Sequence, residues 1–343
     1  MTIVKDGQAE GAARWDEYIL QHPEASSYHL SGWQEPLGRA LFHTPHYLEA
    51  WRNNTLVGVL PLIHLRRPML GDLLVSLPFV NYGGLLADDP AAALALRDAA
   101  LTRAKLLKVS GLELRQRQAD RVPGLPSRES RVSLMLDLPR TPDALFKAIG
   151  QKLRNQVRKG EKSGLTHSMH GLDGLDAFYQ VFVQNMHDLG SPVWPRFFFK
   201  RMFGPFEDRI RLHLAWHENR PVAAGFTFRF QKTVEIPWAS TLREANPLCA
   251  NVFLYHAILR NAVLDGFEVF DFGRSAPDSG TYRFKKQWGA RDVPLHWHYW
   301  PEQPVAAAGG LETHREKLEQ WWQQLPLWST RVLGPPLRRL LAQ

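Results

Sequence analysis

The residues best suited to chemistry lie between positions 271 and 289. A strand-like run over 267–272 leads into a segment rich in Gly, Ser and Pro, which delivers Arg283, Lys285 and Lys286 between aromatic residues. Mobile backbone followed by packed aromatic anchors is a way to offer cations to an anionic group. Composition alone favours the alternative, a surface loop followed by a solvated basic turn.

A second cationic segment occupies positions 141–164. Thr141, Pro142 and Asp143 are typical of the N-cap, first position and first turn of a helix. The apolar stripe of that helix consists of Leu145, Ile149, Leu153 and Val157. Its basic residues are Lys147, Lys152, Arg154, Arg158, Lys159 and Lys162. Arg154 and Arg158 share a face and carry charge of one sign, so contact with phosphate or nucleic acid and a solvated helix face are both open on this segment.

Carboxylates follow a Gly-Gly loop at 81–89. The loop comes after an apolar strand and ends in Asp88 and Asp89. Either residue could act as a base in a cleft, whereas an N-cap for a helix starting near Pro90 is the favoured reading of Asp89. Motifs typical of serine hydrolases, P-loop kinases and dinucleotide-binding dehydrogenases do not occur in the sequence.

Composition describes a globular protein with an anionic partner. The chain has 343 residues, more than one ordinary core needs, and a formal net charge of +8. One cysteine, Cys249, excludes a disulfide framework and a cysteine-based zinc site, and no metal is expected. No apolar signal core or bilayer-spanning run occurs, so we expect a cytoplasmic protein.

An internal repeat organises the chain. Around 47–63 and again around 212–228, a Trp is followed by Asn after three residues and by Val after six, with alternating apolar residues that predict a β-hairpin. Downstream of each, a helix-like segment is followed by a Gly and a short strand, at 91–114 and at 252–269. Common supersecondary units repeated by chance are the alternative. We predict an α+β fold with a first module at 1–137, a second at 138–300, and a linker and tail at 301–343.

These segments together resemble the FemAB-related transferases, which contain two acyltransferase (GNAT-type) modules in tandem. The resemblance rests on the repeat, on the basic helix around 152–159 and on the run 282–289, which is similar to the family's Phe-Lys-x-x-Phe-Gly motif with Trp288 at the last aromatic position. The segments around 28–33, 81–84 and 325–335 narrow it to FemAB-like proteins associated with PEP-CTERM/exosortase systems. The resemblance implies two GNAT-like modules, each a twisted, mostly antiparallel sheet flanked by helices.

The resemblance also implies an activity. It is the transfer of an acyl or aminoacyl group to an amine of a cell-envelope or exopolysaccharide precursor, without a bound cofactor. Lys285 would stabilise negative charge at the reacting carbonyl, Arg154 and Arg158 would hold phosphate, and Asp88 would be the general base. The other substrate- or phosphate-binding candidates are Arg274, Tyr282, Arg283, Phe284 and Lys286.

Two departures from the family leave the donor open. No heptad run forms a coiled-coil arm, and Val157 stands where the pyrophosphate turn of acyl-CoA enzymes needs Gly. The donor is therefore either aminoacyl-tRNA or acyl-CoA, and a non-catalytic tRNA or nucleic-acid binder is the remaining alternative. Oligomeric state is not indicated.

The C-terminal tail combines tryptophans with arginines. Trp321, Trp322 and Trp328 precede Arg338 and Arg339 in a polar-to-apolar segment. Docking against the globular body is the favoured expectation. Peripheral contact with the inner membrane is the alternative, because Trp and Arg at an apolar edge suit a membrane interface.

Overall fold

The computed structural model describes residues 1–7, 9–68, 70–301 and 315–341. The chain divides into two compact units. Unit 1 contains the described residues within Met1–Ser130, Pro294–Arg315 and Arg339–Gln343, and unit 2 contains those within Arg131–Val293 and Glu316–Arg338. The division lies at 130/131, seven residues before the predicted module boundary at 137/138. The predicted linker, 301–310, lies outside the described residues except for Pro301.

Unit 1 is built on a mostly antiparallel sheet. Its strands are β1 (Ile3–Asp6), β2 (Thr44–Arg52), β3 (Thr55–Leu65), β4 (Leu73–Ser76), β5 (Leu86–Ala87), β6 (Gly111–Gln116), the first residues of β7 (Ser127–Asp137) and most of β13 (Arg291–Trp300). The strand order is β1-β2-β3-β4-β6-β13, with β5 beside β3, and the pair β4–β6 is parallel.

Helices α1 (Ala12–Gln21) and α2 (Pro90–Leu106) belong to unit 1. The buried face of α2 is mostly alanine, which lets the helix approach the sheet closely, and it packs into a core that includes Leu48, Leu60 and Leu62. The side chain of Asp89 accepts a hydrogen bond from the backbone N–H of Ala92 at 2.9 Å. This confirms Asp89 as the N-cap of α2.

The strands of unit 2 are also mostly antiparallel. Its complete strands are β8 (Thr166–His170), β9 (Ile210–His217), β10 (Arg220–Phe230), β11 (Thr233–Thr241) and β12 (Val269–Ser275). Its helices are α3 (Pro142–Ala148), α4 (Gln151–Lys162), α5 (Leu175–Asp188), α6 (Arg196–Phe206), α7 (Ala250–Leu264), α8 (Gly280–Lys286), α9 (Arg315–Gln324, from Glu316) and α10 (Leu327–Arg338). The order is β7-β12-β11-β10-β9-β8, and the pair β11–β12 is parallel.

The two predicted hairpins are confirmed. β2 and β3 are joined by Asn53 and Asn54, and β9 and β10 by Glu218 and Asn219. All four turn residues have φ between 49° and 62°, the left-handed conformation that a two-residue hairpin turn requires. Asn accepts this conformation more readily than most residues, which is why the Asn-containing turns are visible in the sequence.

Each hairpin is followed by the same sequence of elements. In unit 1 the third strand β4 is followed by α2 and by β6 parallel to β4. In unit 2 the third strand β11 is followed by α7 and by β12 parallel to β11. The predicted α+β class with mostly antiparallel sheets is therefore confirmed.

One strand of each unit lies outside the predicted bounds of its module. Residues 294–300 of β13, which follow unit 2 in the sequence, complete unit 1 by pairing antiparallel with β6. Residues 132–137 of β7, which directly follow unit 1 in the sequence, pair antiparallel with β12 in unit 2. Neither unit is thus a continuous segment such as 1–137 or 138–300.

The predicted basic helix is divided. Its apolar stripe is buried as expected, but the backbone of Ile149 and Gly150 is extended (ψ 145° and 156°), so α3 ends at Ala148 and α4 starts at Gln151. The stripe continues through the break because both helices pack their apolar side against α7. Helix α4 ends before Gly164, whose φ of +78° suits a residue that follows a helix.

The described tail helices pack on unit 2. The ring Nε2 of His187 on α5 hydrogen-bonds to the carbonyl of Leu325 at 2.9 Å, and the side chain of Gln323 donates to the carbonyl of Asp188 at 2.9 Å. Trp322 is buried. None of the helices in the described residues is long and apolar enough to cross a bilayer.

Candidate active site

The parallel strands of unit 2 separate at their carboxyl ends. β11 and β12 pair over three positions, from Thr233 opposite Val269 to Glu235 opposite Asp271. Beyond these, β11 continues beside β10, and β12 continues beside β7. A gap therefore opens between the strands after Glu235 and Asp271. Ligands bind in sheets of this kind outside the carboxyl ends of diverging parallel strands.

A β-bulge shapes β12 at the start of this gap. The pairing with β7 shifts between Asp271 and Arg274, and Gly273 has a φ of +75°. The fully buried carboxylate of Asp271 accepts hydrogen bonds from the hydroxyl of Ser133 at 2.6 Å and from the backbone N–H of Gly273 at 2.7 Å. The acid thus fixes the bulge, and the bulge turns the carbonyl groups that follow it away from the regular ladder.

The segment predicted as a loop and basic turn contains a short helix. The hydroxyl of Ser279 accepts a hydrogen bond from the N–H of Tyr282 at 3.1 Å and caps α8. Phe284 packs edge-on against Tyr255, with ring centroids 5.0 Å apart, and Trp288 is buried against the same ring. These aromatic contacts anchor α8 against α7.

Lys285 is the buried cation of α8. Its side chain is 8% exposed, and Nζ donates to the carbonyl oxygens of Gly273 and Arg274, each at 3.0 Å. The bulge therefore supplies the acceptors, and the capped helix supplies the donor. Lysine is rarely buried to this extent in a protein unless its ammonium group is paired or has a functional role.

The surroundings of Lys285 shift its proton affinity. Burial lowers the pKa of the ammonium to about 8, while the carboxylates of Asp271 and Glu235 act in the opposite direction. An ammonium with such a pKa can donate a hydrogen bond to a developing oxyanion or give up a proton near neutral pH. A strongly shifted pKa beside a gap between strands identifies a candidate active site.

The other predicted residues of this segment lie at different depths. Tyr282 and Lys286 both bond to Asp292, at 2.7 and 3.1 Å. Arg283 is exposed, and Arg274 is partly buried on β12. The structure therefore brings all six predicted residues from 274 to 286 to β12 and α8, and places Lys285 alone in the interior.

Two acids near the lysine were not among the predicted site residues. Asp271 lies between Phe270 and Phe272, and Glu235 lies between Val234 and Ile236, all of them buried. Burying a carboxylate within an apolar strand is costly unless other groups compensate its charge. An acid flanked by apolar residues was therefore the sequence signal that could have identified Asp271 and Glu235. The hydroxyls of Ser240 on β11 and Ser275 on β12 are buried and have no hydrogen-bond partner in the described structure.

The predicted phosphate-binding arginines lie at the α3–α4 junction. The guanidinium of Arg154 donates to the carbonyls of Lys147 and Ile149 and to the side chain of Gln151. Arg158 is exposed, with its guanidinium 5.4 Å from the ring centroid of Phe146. Arg154 thus holds the helix break together, and Arg158 is the more accessible of the two.

The predicted general base belongs to unit 1. Asp88 is exposed, and its carboxylate accepts a hydrogen bond from the hydroxyl of Tyr18 at 2.8 Å. Its backbone N–H donates to the carbonyl of Val57. Asp88 and Lys285 are thus on different units.

A groove in unit 2 lies away from Lys285 and the other predicted site residues. This groove, of about 580 Å³, is lined by the end of α6 and by Arg209, Arg229 and Phe267, and none of the predicted site residues lines it. A buried ionisable group with a shifted pKa is a stronger indication of an active site than the size of a groove. We therefore place the candidate site at Lys285. In the described residues no cluster of His, Cys, Asp and Glu is arranged to hold a metal ion.

Part of the chain matches a known protein family. Residues 149–286, from two residues before α4 to the last residue of α8, match the family described as the acetyltransferase (GNAT) domain. The matched segment lies within unit 2 and includes Lys285. No curated protein matches the sequence significantly.

Solved structures share the whole fold. The crystal structure of FemX superposes with a TM-score of 0.70 at 14% identity, covering 88% of this chain and 98% of FemX. The C-terminal domain of a putative lysylphosphatidylglycerol synthetase from Agrobacterium fabrum gives 0.60 at 14% identity, covering 89% and 95%. A tandem GNAT protein from the clavulanic acid biosynthesis pathway gives 0.54 at 12% identity, covering 89% and 100%. The two-unit fold of this chain is thus similar to that of tandem GNAT proteins.

Proposed function

We propose that the chain is a transferase that forms an amide bond by moving an acyl or aminoacyl group to an amine of a cell-envelope or exopolysaccharide precursor. The observation that carries the proposal is Lys285, a buried lysine of lowered pKa at the end of a parted parallel strand pair, within the matched GNAT domain. The similarity to FemX and to a putative lysylphosphatidylglycerol synthetase domain supports the cell envelope as the setting.

The proposed reaction is a single acyl transfer. The amine nitrogen attacks the carbonyl carbon of the donor, which is an ester in aminoacyl-tRNA or a thioester in acyl-CoA. A C–N bond forms, the C–O or C–S bond breaks, and the amine loses a proton to a base. The leaving hydroxyl or thiol gains a proton. The Lys285 ammonium stabilises the negative charge on the carbonyl oxygen, a role that requires the preorganised position its two backbone acceptors provide.

The cations around Lys285 are suited to the phosphates of the donor. Arg283 and Arg274 lie on the same helix and strand as the lysine and its acceptors, and Lys286 is half-exposed. Arg158 adds an accessible guanidinium on α4, whereas Arg154 has most of its donors engaged with backbone. Both donors carry phosphates, so these residues do not distinguish between them.

A donor assay tests the proposal. The purified chain is incubated with acetyl-CoA, with a longer acyl-CoA or with total tRNA charged with radiolabelled amino acids, and its melting temperature is recorded with each. Transfer of label is then measured to nucleotide-linked and lipid-linked amine precursors. We expect one donor class to raise the melting temperature and to support transfer. If neither donor binds and no label is transferred, the proposal fails.

The Lys285→Met variant ties activity to the site. Loss of one preorganised charge donor lowers a transfer rate by about a hundredfold or more, and we expect that loss here. Lys200→Met is the matched control, because Lys200 is an exposed lysine of α6 in the same unit. A Lys285→Met protein that transfers at the wild-type rate would remove Lys285 from the site.

A nucleic-acid binder without catalytic activity is the second candidate. The exposed basic residues of α4 favour it. It predicts binding to uncharged tRNA that weakens steeply with salt and is lost in Arg158→Gln, and no dependence on Lys285. The association with exosortase systems stays a prediction of the sequence resemblance.

A further inference from the structure

The tail helix α10 exposes an apolar side to solvent and packs its other side, which includes Arg338, against the rest of unit 2. Its inner side contacts unit 2: Gly334 lies so close to Val193 that an added Cβ would be 2.8 Å from the Val193 side chain. The guanidinium of Arg338 stacks on Trp194, 4.3 Å from the ring centroid. The inner side therefore fixes the orientation of the helix on α5 and the loop that follows it.

The outer side of α10 is apolar. Trp328 and Val332 are 71% and 67% exposed, and Pro336 continues the same stripe at a spacing of four residues. Leu333 and Leu337 form an exposed second row. The water-facing side of a docked helix is normally polar, so an apolar stripe of this length indicates a surface that something covers.

The neighbouring helix continues the pattern. On α9, Leu318 and Trp321 are exposed at a spacing of three residues, while Trp322 next to them is buried. The two tryptophans are therefore divided between the core and the outside. Trp321 and Trp328 both combine an apolar ring with a polar N–H group, which suits the boundary between headgroups and acyl chains.

The charge of the tail selects the covering surface. Positions 320–343 contain no Asp or Glu and three arginines, Arg331, Arg338 and Arg339. Arg331 is exposed and lies three residues after Trp328, so it borders the apolar stripe. Cations of one sign beside exposed Trp and aliphatic side chains complement an anionic lipid headgroup layer.

We propose that the outer side of α10 binds the surface of a membrane that contains anionic phospholipid. Trp328 and Val332 enter the headgroup region, and Arg331 contacts lipid phosphates. The helix lies in the plane of the surface, and its inner side stays on unit 2. This proposal rests on the tail and is independent of the proposed transferase, although a membrane location would suit a lipid-linked acceptor.

Vesicle co-sedimentation of the full-length chain tests the proposal. We expect the wild type to pellet with vesicles of phosphatidylcholine and phosphatidylglycerol and to stay largely in the supernatant with phosphatidylcholine alone. Added salt should weaken the binding, because it screens the arginines. The double variant Trp328→Ser/Val332→Ser should lose vesicle affinity by about tenfold or more, and Arg331→Gln should weaken binding to the anionic vesicles alone.

The matched control replaces two exposed apolar side chains that lie outside the tail. Leu106 and Leu264 are 74% and 57% exposed on α2 and α7, and Leu106→Ser/Leu264→Ser should bind like the wild type. All variants should keep the wild-type melting temperature, since the altered side chains are exposed. Wild-type protein that ignores anionic vesicles, or a tail variant that binds as well as the wild type, would overturn the proposal.

A second copy of the chain is the competing occupant. Sedimentation velocity distinguishes it, because a dimer through this stripe would dissociate in Trp328→Ser/Val332→Ser. A wild-type dimer with this behaviour and no vesicle binding would also overturn the membrane proposal. None of these measurements depends on activity, so a failed transferase assay would leave the result intact.

Discussion

The Nζ atom of Lys285 lies 3.0 Å from the carbonyl oxygen of Gly273, in a bulge that the buried carboxylate of Asp271 holds in place. A helix and a strand thus meet through a charge that is shielded from solvent. The bond between Lys285 and Gly273 could stabilise the fold by linking α8 to β12, and the same ammonium could act as a catalytic hydrogen-bond donor. Stability and activity measurements on the same variants separate the two roles.

The pH dependence of stability should reveal the lowered pKa of Lys285. The folded pKa is about 8 and the ordinary value is 10.5, so between these values the unfolded chain binds more protons and stability rises with pH. Below pH 8 the cost of the buried charge is fully present. The rise amounts to about 3 kcal/mol. Urea unfolding of wild type and Lys285→Met across this range should show it in the difference between the two curves. A constant difference would mean that the lysine titrates normally.

Gly273→Ala should disturb the bulge and its bond to Lys285. At a φ of +75°, a side chain costs about 1 to 2 kcal/mol in the free energy of unfolding. Gly280→Ala is the control, because an added Cβ at the start of α8 meets no atom within 4 Å. Chemical denaturation measures both. In a double-mutant cycle, Gly273→Ala and Lys285→Met should show coupling, since one residue provides the acceptor for the other. Additive effects would contradict a shared structure.

Local signals in the sequence were sufficient for much of the fold. The hairpins follow from Asn turns that need left-handed backbone, and α2 follows from Asp89, Pro90 and an Ala-rich run. Each of these signals is contained within a few neighbouring residues. The break at Ile149 and Gly150 left no such signal, because the apolar stripe runs through it without a change of spacing.

The pairing of strands that are distant in the chain could not be predicted from the sequence. The pairing of β13 with β6 joins residues about 180 positions apart, and no local pattern specifies which sheet a strand completes. The same limit applies to the site. Lys285 was found through a motif, whereas its contacts with Gly273 and the acids beneath it depend on how α8 folds back on β12.

The two hairpin turns should respond alike to substitution. Asn54 and Asn219 have φ values of 62° and 61°, so replacement of either by Ala should lower the free energy of unfolding by about 1 kcal/mol. Asn54→Gly and Asn219→Gly are the controls, since Gly takes this conformation without the penalty. Thermal and urea unfolding of the four variants provide the comparison. A cost at one turn and not at the other would show that the two turns are not equivalent.

Asp88 can be tested separately from Lys285 through its partner Tyr18. Its carboxylate accepts the Tyr18 hydroxyl at 2.8 Å, and burial together with this bond raises the pKa of Tyr18 above its usual value. Tyr18→Phe removes the bond and keeps the carboxylate, whereas Asp88→Asn removes the basic group. Tyr18→Phe should cost about 1 kcal/mol of stability through the lost hydrogen bond. Asp88→Asn should cost less, because the amide oxygen can still accept the Tyr18 hydroxyl.

The transfer rate then distinguishes the roles of Asp88. If it is the general base, Asp88→Asn should lower the rate at saturating substrate by about a hundredfold or more, and Tyr18→Phe should keep it within a few-fold of wild type. The rate of Asp88→Asn should then also lose the part of its pH dependence that reports the base. A stability loss in Tyr18→Phe, with the rates of both variants unchanged, would assign Asp88 to holding α1 in place and would require the base to be sought elsewhere.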